Sequence, residues 1–272
     1  RRTLNHHGFP RELSTLWQFS PTRPLADPCF ALDAIAGRRK PATGKTNSYQ
    51  PAACHEERKV TYHVKTCFRT IQGEGAQTGR VAVFCRLSGC NLWSGRIDDR
   101  DRAICKFCDT DFVGTDGPAG GSFATATDLA EHIAVIWQQQ TVQDEHRYVV
   151  FTGGEPLLQL DAPLVKACHR LGFEVGLETN GTLPCPPEID WICVSPKAGA
   201  PLVQTAGDEL KLVFPQEGLD PKDFVSLAFT TFSLQPRHDA NLLENIRICL
   251  DYCASHPRWR LSVQLHKFLG IP

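Results

Sequence analysis

From about Val60 onward, short runs of apolar residues alternate with amphipathic stretches and polar turns. Apolar runs of this length, bounded by turn residues, predict buried strands. The predicted strands are Val81–Leu87, Tyr148–Thr152, Glu174–Glu178, Asp190–Ser195, Glu209–Phe214, Thr231–Leu234 and Trp259–Leu265. Because helical stretches separate several of these strands, the pattern predicts right-handed crossovers and a mainly parallel α/β sheet, either open or curled into a barrel.

The helices are predicted from apolar residues that recur on one face. The first helix follows Thr125, whose hydroxyl can cap its start while Asp128 completes a capping box. A second helix covers about Leu157–Leu171, and a third runs from about Asn241 to Ala254. The apolar faces of the three helices are, in order, Leu129, Ile133, Ile136 and Trp137; Leu164, Val165, Cys168 and Leu171; and Leu242, Ile246, Cys249, Leu250 and Cys253.

The first sixty residues differ in character from the rest of the chain. They hold ten Lys and Arg against five Asp and Glu, and six prolines interrupt them. A segment of this composition buries little apolar surface, so we predict that residues 1–60 are mostly disordered. The segment could be a native tail, a targeting peptide or the product of a misplaced start site. Residues 61–272 are predicted to form one folded domain.

Composition and charge restrict the class of protein. Hydrophobic residues make up 42% of the chain and charged residues 22%, as in ordinary globular proteins. No apolar run reaches the roughly 18 residues of a membrane span, and no signal peptide is recognisable near the start. The net charge of −1 argues against a general nucleic-acid binder. We therefore expect a cytoplasmic protein with no membrane and no direct nucleic-acid partner, whose twelve cysteines are reduced thiols or metal ligands.

Three cysteines, Cys90, Cys105 and Cys108, are spaced as C-x14-C-x2-C. They could be core thiols, as we expect for Cys85, Cys168, Cys249 and Cys253. They could bind zinc with Cys85 as a fourth ligand, or hold an iron–sulfur cluster without one. Strand alternation directs Cys85 into an apolar layer. Three thiolates suit a cluster with one open iron, whereas a structural zinc site would be closed, so the spacing favours the cluster.

Polar segments rich in turn residues follow most of the predicted strands. The carboxyl ends of parallel strands meet at one edge of a sheet, where α/β folds bind their ligands. The segments are Arg86–Cys90, Thr152–Pro156, Glu178–Gly181, Ser195–Lys197, Gln235–His238 and His266–Lys267. Together they predict an active site on that rim.

The chain resembles the radical S-adenosylmethionine superfamily in three features: Phe107-Cys108, the turn Gly153–Pro156 and the parallel layout of the predicted strands. Most members have C-x3-C-x2-C; the longer spacer is similar to that of the 7-carboxy-7-deazaguanine synthase family. Further segments that resemble this family are Thr70–Gly75, Arg86, Cys108–Thr110, Glu178–Gly181, Val194–Lys197 and His266–Pro272. The resemblance covers roughly residues 61–272 and implies a radical S-adenosylmethionine catalytic domain folded as a partial (β/α)6 barrel.

The resemblance implies a [4Fe-4S] cluster on Cys90, Cys105 and Cys108, whose open iron chelates S-adenosylmethionine. One electron from a flavodoxin or ferredoxin-type reductant would release a 5′-deoxyadenosyl radical, which abstracts hydrogen from the substrate. Gly153 and Gly154 would let the backbone approach the methionine moiety. The residues expected to bind the cofactor, with Glu155 on its ammonium and Glu178 on its ribose, are Phe107, Asp109, Gly154, Glu155, Glu178, Ser195, Pro196, Lys197, Gln235, Pro236, Arg237 and His238.

The substrate implied by the resemblance is 6-carboxy-5,6,7,8-tetrahydropterin. Arg86 would hold its carboxylate through a bidentate fork, and His266 would contact the ring or shuttle a proton. The residues expected to contact the substrate are Ile71, Gln72, Gly73, Glu74, Arg86, Thr152, His266 and the final Pro272. Thr110 matches the magnesium position of the family, although it could also cap a turn.

Two features leave alternatives open. Arg237 and His238 stand where the family has an apolar and an acidic residue, which puts in question any contact through that acidic side chain. Another radical enzyme, such as a glycyl-radical activase, shares the cluster and the Gly-Gly-Glu-Pro turn, and a zinc-bound interaction module shares the cysteines.

For the favoured family we expect a homodimer, since small enzymes of this type are often symmetric dimers.

Overall fold

The computed structural model describes residues 61–139 and 145–272. The prediction that residues 1–60 are disordered falls outside the described residues. The strands are β1 Tyr62–Ile71, β2 Val81–Leu87, β3 Gly121–Phe123, β4 Tyr148–Gly153, β5 Glu174–Thr179, β6 Trp191–Val194, β7 Ala206–Phe214, β8 Ala228–Pro236 and β9 Trp259–Leu261. The helices are α1 Ala126–Gln138, α2 Ala162–Arg170, α3 Leu242–Ser255 and α4 Leu265–Leu269.

Within the described residues, the nine strands form one sheet in the order β3-β1-β2-β4-β5-β6-β7-β8-β9. From β2 to β9 each neighbouring pair is parallel, whereas β1 pairs antiparallel with both β2 and β3. The predicted mixed α/β fold with a mainly parallel sheet is therefore confirmed. The antiparallel β1 and β3 were not predicted, because Lys65, Thr66 and Arg69 interrupt the apolar pattern of β1 and because β3 is only three residues long.

Most element boundaries shift by one to three residues, and two predicted elements also change structure along part of their length. The predicted strand Trp259–Leu265 ends at Leu261, and Leu265 instead begins α4. The predicted helix Leu157–Leu171 begins only at Ala162, where the carboxylate of Asp161 accepts a hydrogen bond from Leu164 N. Before that point, Pro156–Leu158 forms a separate 3-10 turn.

Helices cover the outer face of the sheet and bury its apolar side chains. Helices α1 and α2 pack against β1, β2 and β5, and α3 packs against β8 and β9. Thr125 caps α1 as predicted, since its Oγ1 accepts a hydrogen bond from Asp128 N at 3.1 Å. Leu129 and Ile133 of α1 are completely buried, which contributes about 1.5–3 kcal/mol each. On α3, by contrast, the predicted core residue Leu250 is exposed.

The loop after β1 crosses the concave face and reaches the far strands. Gly73 O accepts a hydrogen bond from Leu265 N at 2.8 Å, and Gly75 N donates to Ser262 Oγ at 2.8 Å. Ala76 N donates to Glu209 Oε2 of β7 at 2.9 Å. These contacts join the two sides of a curled sheet, as expected of a partial barrel. None of the described helices is both long enough and apolar enough to cross a membrane.

Candidate active site

The carboxyl ends of the parallel strands surround a cavity of about 200 Å³, here called the cysteine cavity. Much of the rest of its wall is the chain from Cys90 to Cys108, here called the cysteine segment. Its wall brings together most of the residues predicted for the cofactor. Those on the wall are Cys90, Cys105, Phe107, Cys108, Asp109, Thr110, Gly154, Glu178, Ser195, Lys197, Gln235, Pro236, Arg237 and His238. Pro196 is not on the wall: its ring is buried, and its carbonyl accepts a hydrogen bond from Gln216 Nε2 at 3.4 Å.

The three predicted ligands share this cavity but differ in environment. The thiol of Cys105 donates to Cys108, which lowers the pKa of Cys108 to about 6 and raises the pKa of Cys105. Burial raises the pKa of the Cys90 thiol, whose Sγ accepts a hydrogen bond from Leu92 N at 3.4 Å. Among residues 61–139 and 145–272, no three His, Cys, Asp or Glu side chains close around a single ion. Three thiols on the wall of one cavity fit an iron–sulfur cluster, which Cys90, Cys105 and Cys108 would hold as thiolates.

Cys85, the possible fourth zinc ligand, lies elsewhere. It is completely buried in β2, where it pairs in register with Cys67 of β1. Cys168 belongs to the same apolar cluster, and Cys249 lies in the cluster under α3, both as predicted for core thiols. The position of Cys85 removes the fourth ligand on which a zinc site at Cys90 would depend.

The Gly-Gly-Glu-Pro turn packs against the cysteine segment. A Cβ atom on Gly154 would overlap Gly89 O and the side chain of Cys90, so the glycine is required by contact between two protein segments. Glu155 N donates to Gly89 O at 2.9 Å and fixes the same contact. The glycine was predicted to admit a cofactor, but the nearest atoms are those of the protein itself.

The Glu155 carboxylate, which was predicted to contact the cofactor ammonium, is hydrogen-bonded to the chain itself. The side chain is completely buried and does not line the cavity; its oxygens accept hydrogen bonds from Thr179 Oγ1, Asn180 N and Leu157 N at 2.8, 2.8 and 3.0 Å. Burial raises the pKa of Glu155 despite these donors. Glu155 therefore fastens the turn after β4 to the end of β5.

Changing Glu155 to glutamine is expected to lower the free energy of unfolding by about 1–3 kcal/mol. The amide replaces one acceptor oxygen with a donor and leaves a buried N–H without its partner. Urea unfolding of the protein without cofactors measures the change. The control is Glu131→Gln on the exposed face of α1, which is expected to stay within about 0.5 kcal/mol of wild type. Equal stabilities of the two variants would contradict this role.

A second cavity, of about 580 Å³, lies beside the first and is here called the arginine cavity. All the residues predicted to contact the substrate line it: Ile71, Gln72, Gly73, Glu74, Arg86, Thr152, His266 and Pro272. Burial lowers the pKa values of both Arg86 and His266, and the effect on His266 favours a neutral imidazole. Gly73 lies so close to His266 that a Cβ there would overlap the imidazole. Thr70 Oγ1 donates to the carbonyl oxygen of Pro272 at 3.1 Å.

The two cavities share a wall that contains a buried ion pair network. Lys211 Nζ of β7 lies 2.8 Å from Glu74 Oε2 and 2.9 Å from Glu178 Oε2. Gln264 Nε2 donates to Glu74 Oε1 at 2.8 Å, and Gln72 Nε2 donates to Glu178 Oε1 at 3.3 Å. Sequence reasoning missed Lys211 and Gln264. The available signal was a pair of charged residues, Glu209 and Lys211, at alternate positions of an apolar strand.

The pKa values of the two carboxyl groups, Glu74 and Glu178, are shifted in opposite directions. Burial would raise the pKa of Glu74, but the charge and hydrogen bond of Lys211 outweigh it and lower the pKa to about 2. For Glu178 burial prevails over Lys211, and its pKa is raised. Burial disfavours the ammonium of Lys211, yet the surrounding acidic groups raise its pKa well above its usual range. The shared wall therefore contains a carboxylate held as an anion, a carboxyl group whose pKa is raised and an ammonium whose pKa is raised.

The other predicted residues on the rim contact the chain itself. Lys267 Nζ of α4 donates to Asp109 Oδ2 at 2.6 Å, and Arg237 Nε donates to Asp239 Oδ2 at 2.6 Å. Lys197 Nζ donates to the carbonyl and hydroxyl oxygens of Ser195 at 2.6 and 2.7 Å. Thr110 lines both cavities, as a metal ligand between a cofactor and a substrate would have to do.

The chain is similar to several curated proteins along all or nearly all of their length. It is 58% identical over 213 residues to the 7-carboxy-7-deazaguanine synthase of Caulobacter vibrioides, covering 78% of this chain and 100% of that protein. The 7-carboxy-7-deazaguanine synthase of Bradyrhizobium diazoefficiens is 58% identical over 212 residues, with the same coverage. The matching enzyme of Synechocystis is 33% identical over 220 residues, covering 78% of this chain and 94% of that protein.

A solved structure supports the same relationship. The crystal structure of QueE from Escherichia coli superposes with a TM-score of 0.57 at 28% sequence identity, covering 76% of this chain and 95% of that one. No protein-family model matches the chain.

Proposed function

The chain belongs to the 7-carboxy-7-deazaguanine synthase family, and from this premise we propose how its two cavities divide the reaction. The reaction contracts the ring of 6-carboxy-5,6,7,8-tetrahydropterin to 7-carboxy-7-deazaguanine with loss of ammonia. We assign the cofactors to the cysteine cavity and the pterin to the arginine cavity. The observation that carries this assignment is the shared wall, which places the three cysteines and Arg86 in adjoining cavities.

We assign a [4Fe-4S] cluster to Cys90, Cys105 and Cys108, which are the cysteines on the cavity wall. Bound together, the cluster and S-adenosylmethionine supply the radical that starts the reaction. The chain holds the nucleoside beside the cluster through the ends of β5, β6 and β8. Glu178, Ser195 and Gln235 offer polar atoms there. Gly154 lines the cavity without a side chain, and it packs directly against Gly89 and Cys90.

The arginine cavity provides the polar groups that a carboxylated pterin needs. Arg86 supplies a fixed cation for the carboxylate and can bind it through two parallel N–H bonds. Glu74, held as an anion by Lys211, accepts hydrogen bonds from the amino edge of the ring. The neutral imidazole of His266 can accept a proton at one ring nitrogen. The network around Lys211 thus sets the charge of the groups that face the substrate.

Magnesium, the reductant and the oligomeric state belong to the same proposal. A magnesium ion at Thr110 would use hard oxygen ligands from the hydroxyl, the substrate carboxylate and water. A flavodoxin or ferredoxin-type protein would supply the electron. We also propose a symmetric homodimer, which is the commonest closed assembly among soluble oligomers.

An anaerobic assay of the reconstituted wild-type chain tests the proposal. With S-adenosylmethionine, magnesium, the carboxypterin and a flavodoxin reductant, we expect 7-carboxy-7-deazaguanine and ammonia in equal amounts. Chromatography of the products measures both. Cleavage of S-adenosylmethionine without deazaguanine would favour another radical enzyme, such as a glycyl-radical activase, and a preparation that binds zinc but no iron would favour an interaction module.

Changing Arg86 to glutamine is expected to raise KM for the carboxypterin by about 10- to 100-fold, since two charge-assisted hydrogen bonds to the carboxylate are lost. Reductive cleavage of S-adenosylmethionine in the absence of the pterin should stay near the wild-type rate, because Arg86 lies in the arginine cavity only. The control Arg260→Gln removes an exposed guanidinium from β9. An unchanged KM would contradict the assignment of the pterin carboxylate to Arg86.

A further inference from the structure

The long spacer between the first two cysteines folds back onto the last one. It contains a 3-10 turn, Ile97–Arg102, and Arg100 of this turn contacts the backbone of the C-x2-C turn, Cys105–Cys108. Arg100 Nη1 lies 2.9 Å from the carbonyl oxygen of Cys108 and 3.3 Å from that of Lys106. These two carbonyls stand on either side of Phe107, so one guanidinium fixes the backbone across the C-x2-C segment.

The same guanidinium stacks on an aromatic ring of the cavity wall. The central carbon of Arg100 lies 3.5 Å from the centroid of the Trp93 ring. Trp93 is itself held in place: its Nε1 donates to Arg96 O at 3.1 Å, and its ring packs edge to face on Phe112 at 5.5 Å. Because Trp93 is only 8% exposed, Arg100 is attached to a rigid support rather than to a surface side chain.

A different residue connects the other two cysteines. The carbonyl oxygen of Leu92 accepts hydrogen bonds from Ile104 N at 3.1 Å and from Cys105 N at 3.3 Å. Leu92 N in turn donates to Cys90 Sγ at 3.4 Å. The backbone thus ties Cys90 to Cys105, which leaves the turn beyond Cys105 dependent on other contacts.

We propose that Arg100 is the positioning residue of the cysteine segment, holding the C-x2-C backbone against Trp93 so that all three thiols face one cavity. This inference rests on the cluster assigned under the proposed function. It explains how a chain with fourteen residues between Cys90 and Cys105 presents its thiols together: the spacer carries the arginine that closes the segment. Arginine suits this position better than lysine because a lysine ammonium lacks the planar fork that stacks on a ring while donating sideways.

The test compares Arg100→Met and Arg100→Lys with the control Arg102→Met. Arg102 lies in the same 3-10 turn, but its side chain is 82% exposed and pairs with Asp99. Each full-length protein is reconstituted anaerobically, and loss of iron to a chelator is followed by absorbance at about 400 nm. The expected result is cluster loss about tenfold faster in Arg100→Met and intermediate in Arg100→Lys, with Arg102→Met at the wild-type rate.

A second readout separates positioning from general destabilisation. The electron paramagnetic resonance spectrum of the reduced cluster should change on adding S-adenosylmethionine in wild type and Arg102→Met, and change less in Arg100→Met. Melting temperatures of the metal-free proteins measure how far each substitution lowers stability in general, and a purely structural role of Arg100 would lower them without changing the response of the cluster to S-adenosylmethionine. If Arg100→Met does not fold, Arg100→Lys tests the proposal instead, and it should lose its cluster faster than wild type. Equal cluster lifetimes would overturn the role of Arg100 alone, whereas a wild-type chain that takes up no iron would overturn the cluster assignment as well.

Discussion

Cys105→Ala is expected to reduce formation of the deazaguanine below detection. Cys105 lines the cysteine cavity and is only 6% exposed, and the other two cysteines that line this cavity are themselves assigned as ligands. Two remaining thiolates do not hold a cluster that needs three protein ligands, and without the cluster no electron reaches the sulfonium. The expected preparation is colourless after reconstitution and cleaves no S-adenosylmethionine. Iron analysis, visible absorbance and chromatography of the adenosyl products measure the three effects.

The matched control is Cys253→Ala on α3. Cys253 packs at the edge of the cluster of apolar residues under that helix, and burial raises its pKa as expected of an inert core thiol. This variant should keep its iron and its activity, with a small loss of stability from the cavity it creates. Full iron content in Cys105→Ala would contradict the ligand assignment, and loss of iron from Cys253→Ala would show that the other cysteines also matter.

The arrangement of the rim could be predicted from the sequence because strand order alone determines it. Parallel strands bring their carboxyl ends to one edge, so segments as distant as Arg86 and Lys197 were expected near each other before any contact was known. The separation of Cys85 from the three cysteines that line the cavity followed from the same logic, since strand alternation directs Cys85 into the apolar layer. These predictions depend on backbone direction, which the periodicity of apolar residues reveals.

The interior of the site could not be predicted in the same way, because it depends on which side chains meet across the curled sheet. Lys211 resembles a solvent-facing lysine in the sequence, and only the crossing of the loop that carries Glu74 makes it a buried counter-ion. Glu155 resembles a ligand of the cofactor ammonium, but three donors nearby satisfy its carboxylate. Arg100 lies in a spacer with no apolar periodicity, so no pattern distinguishes it from the charged residues beside it.

Lys211→Met is expected to lower kcat/KM for the pterin at neutral pH by about 100-fold or more. The side chain of Lys211 is 4% exposed and contacts Glu74 and Glu178 at 2.8 and 2.9 Å, so its removal leaves two carboxylates buried without a cation. Breaking a buried pair in this way costs about 3–5 kcal/mol. One carboxylate then takes up a proton and presents a donor where the substrate needs an acceptor. Steady-state kinetics with each substrate varied measures the loss.

The same substitution should also change the pH dependence of kcat/KM. Lys211 lowers the pKa of Glu74 to about 2, so in wild type this group is anionic throughout the usual assay range. A lowered carboxyl pKa adds stability that is present above the unfolded-state pKa of about 4.3 and is lost as the pH falls toward 2. In Lys211→Met burial prevails and the pKa of Glu74 rises above its ordinary value. The acidic limb of kcat/KM should therefore move to higher pH.

Two further variants separate charge from packing. Lys222→Met removes a lysine whose side chain is 72% exposed and should leave both KM values and the pH profile unchanged. The double variant Glu74→Gln with Lys211→Met removes the cation together with one of its anions. It should recover part of the stability lost in Lys211→Met without recovering pterin binding, because the fixed acceptor is still missing. If Lys211→Met melts at a lower temperature yet keeps the wild-type KM values and pH profile, Lys211 contributes to folding alone and the shared wall does not govern recognition.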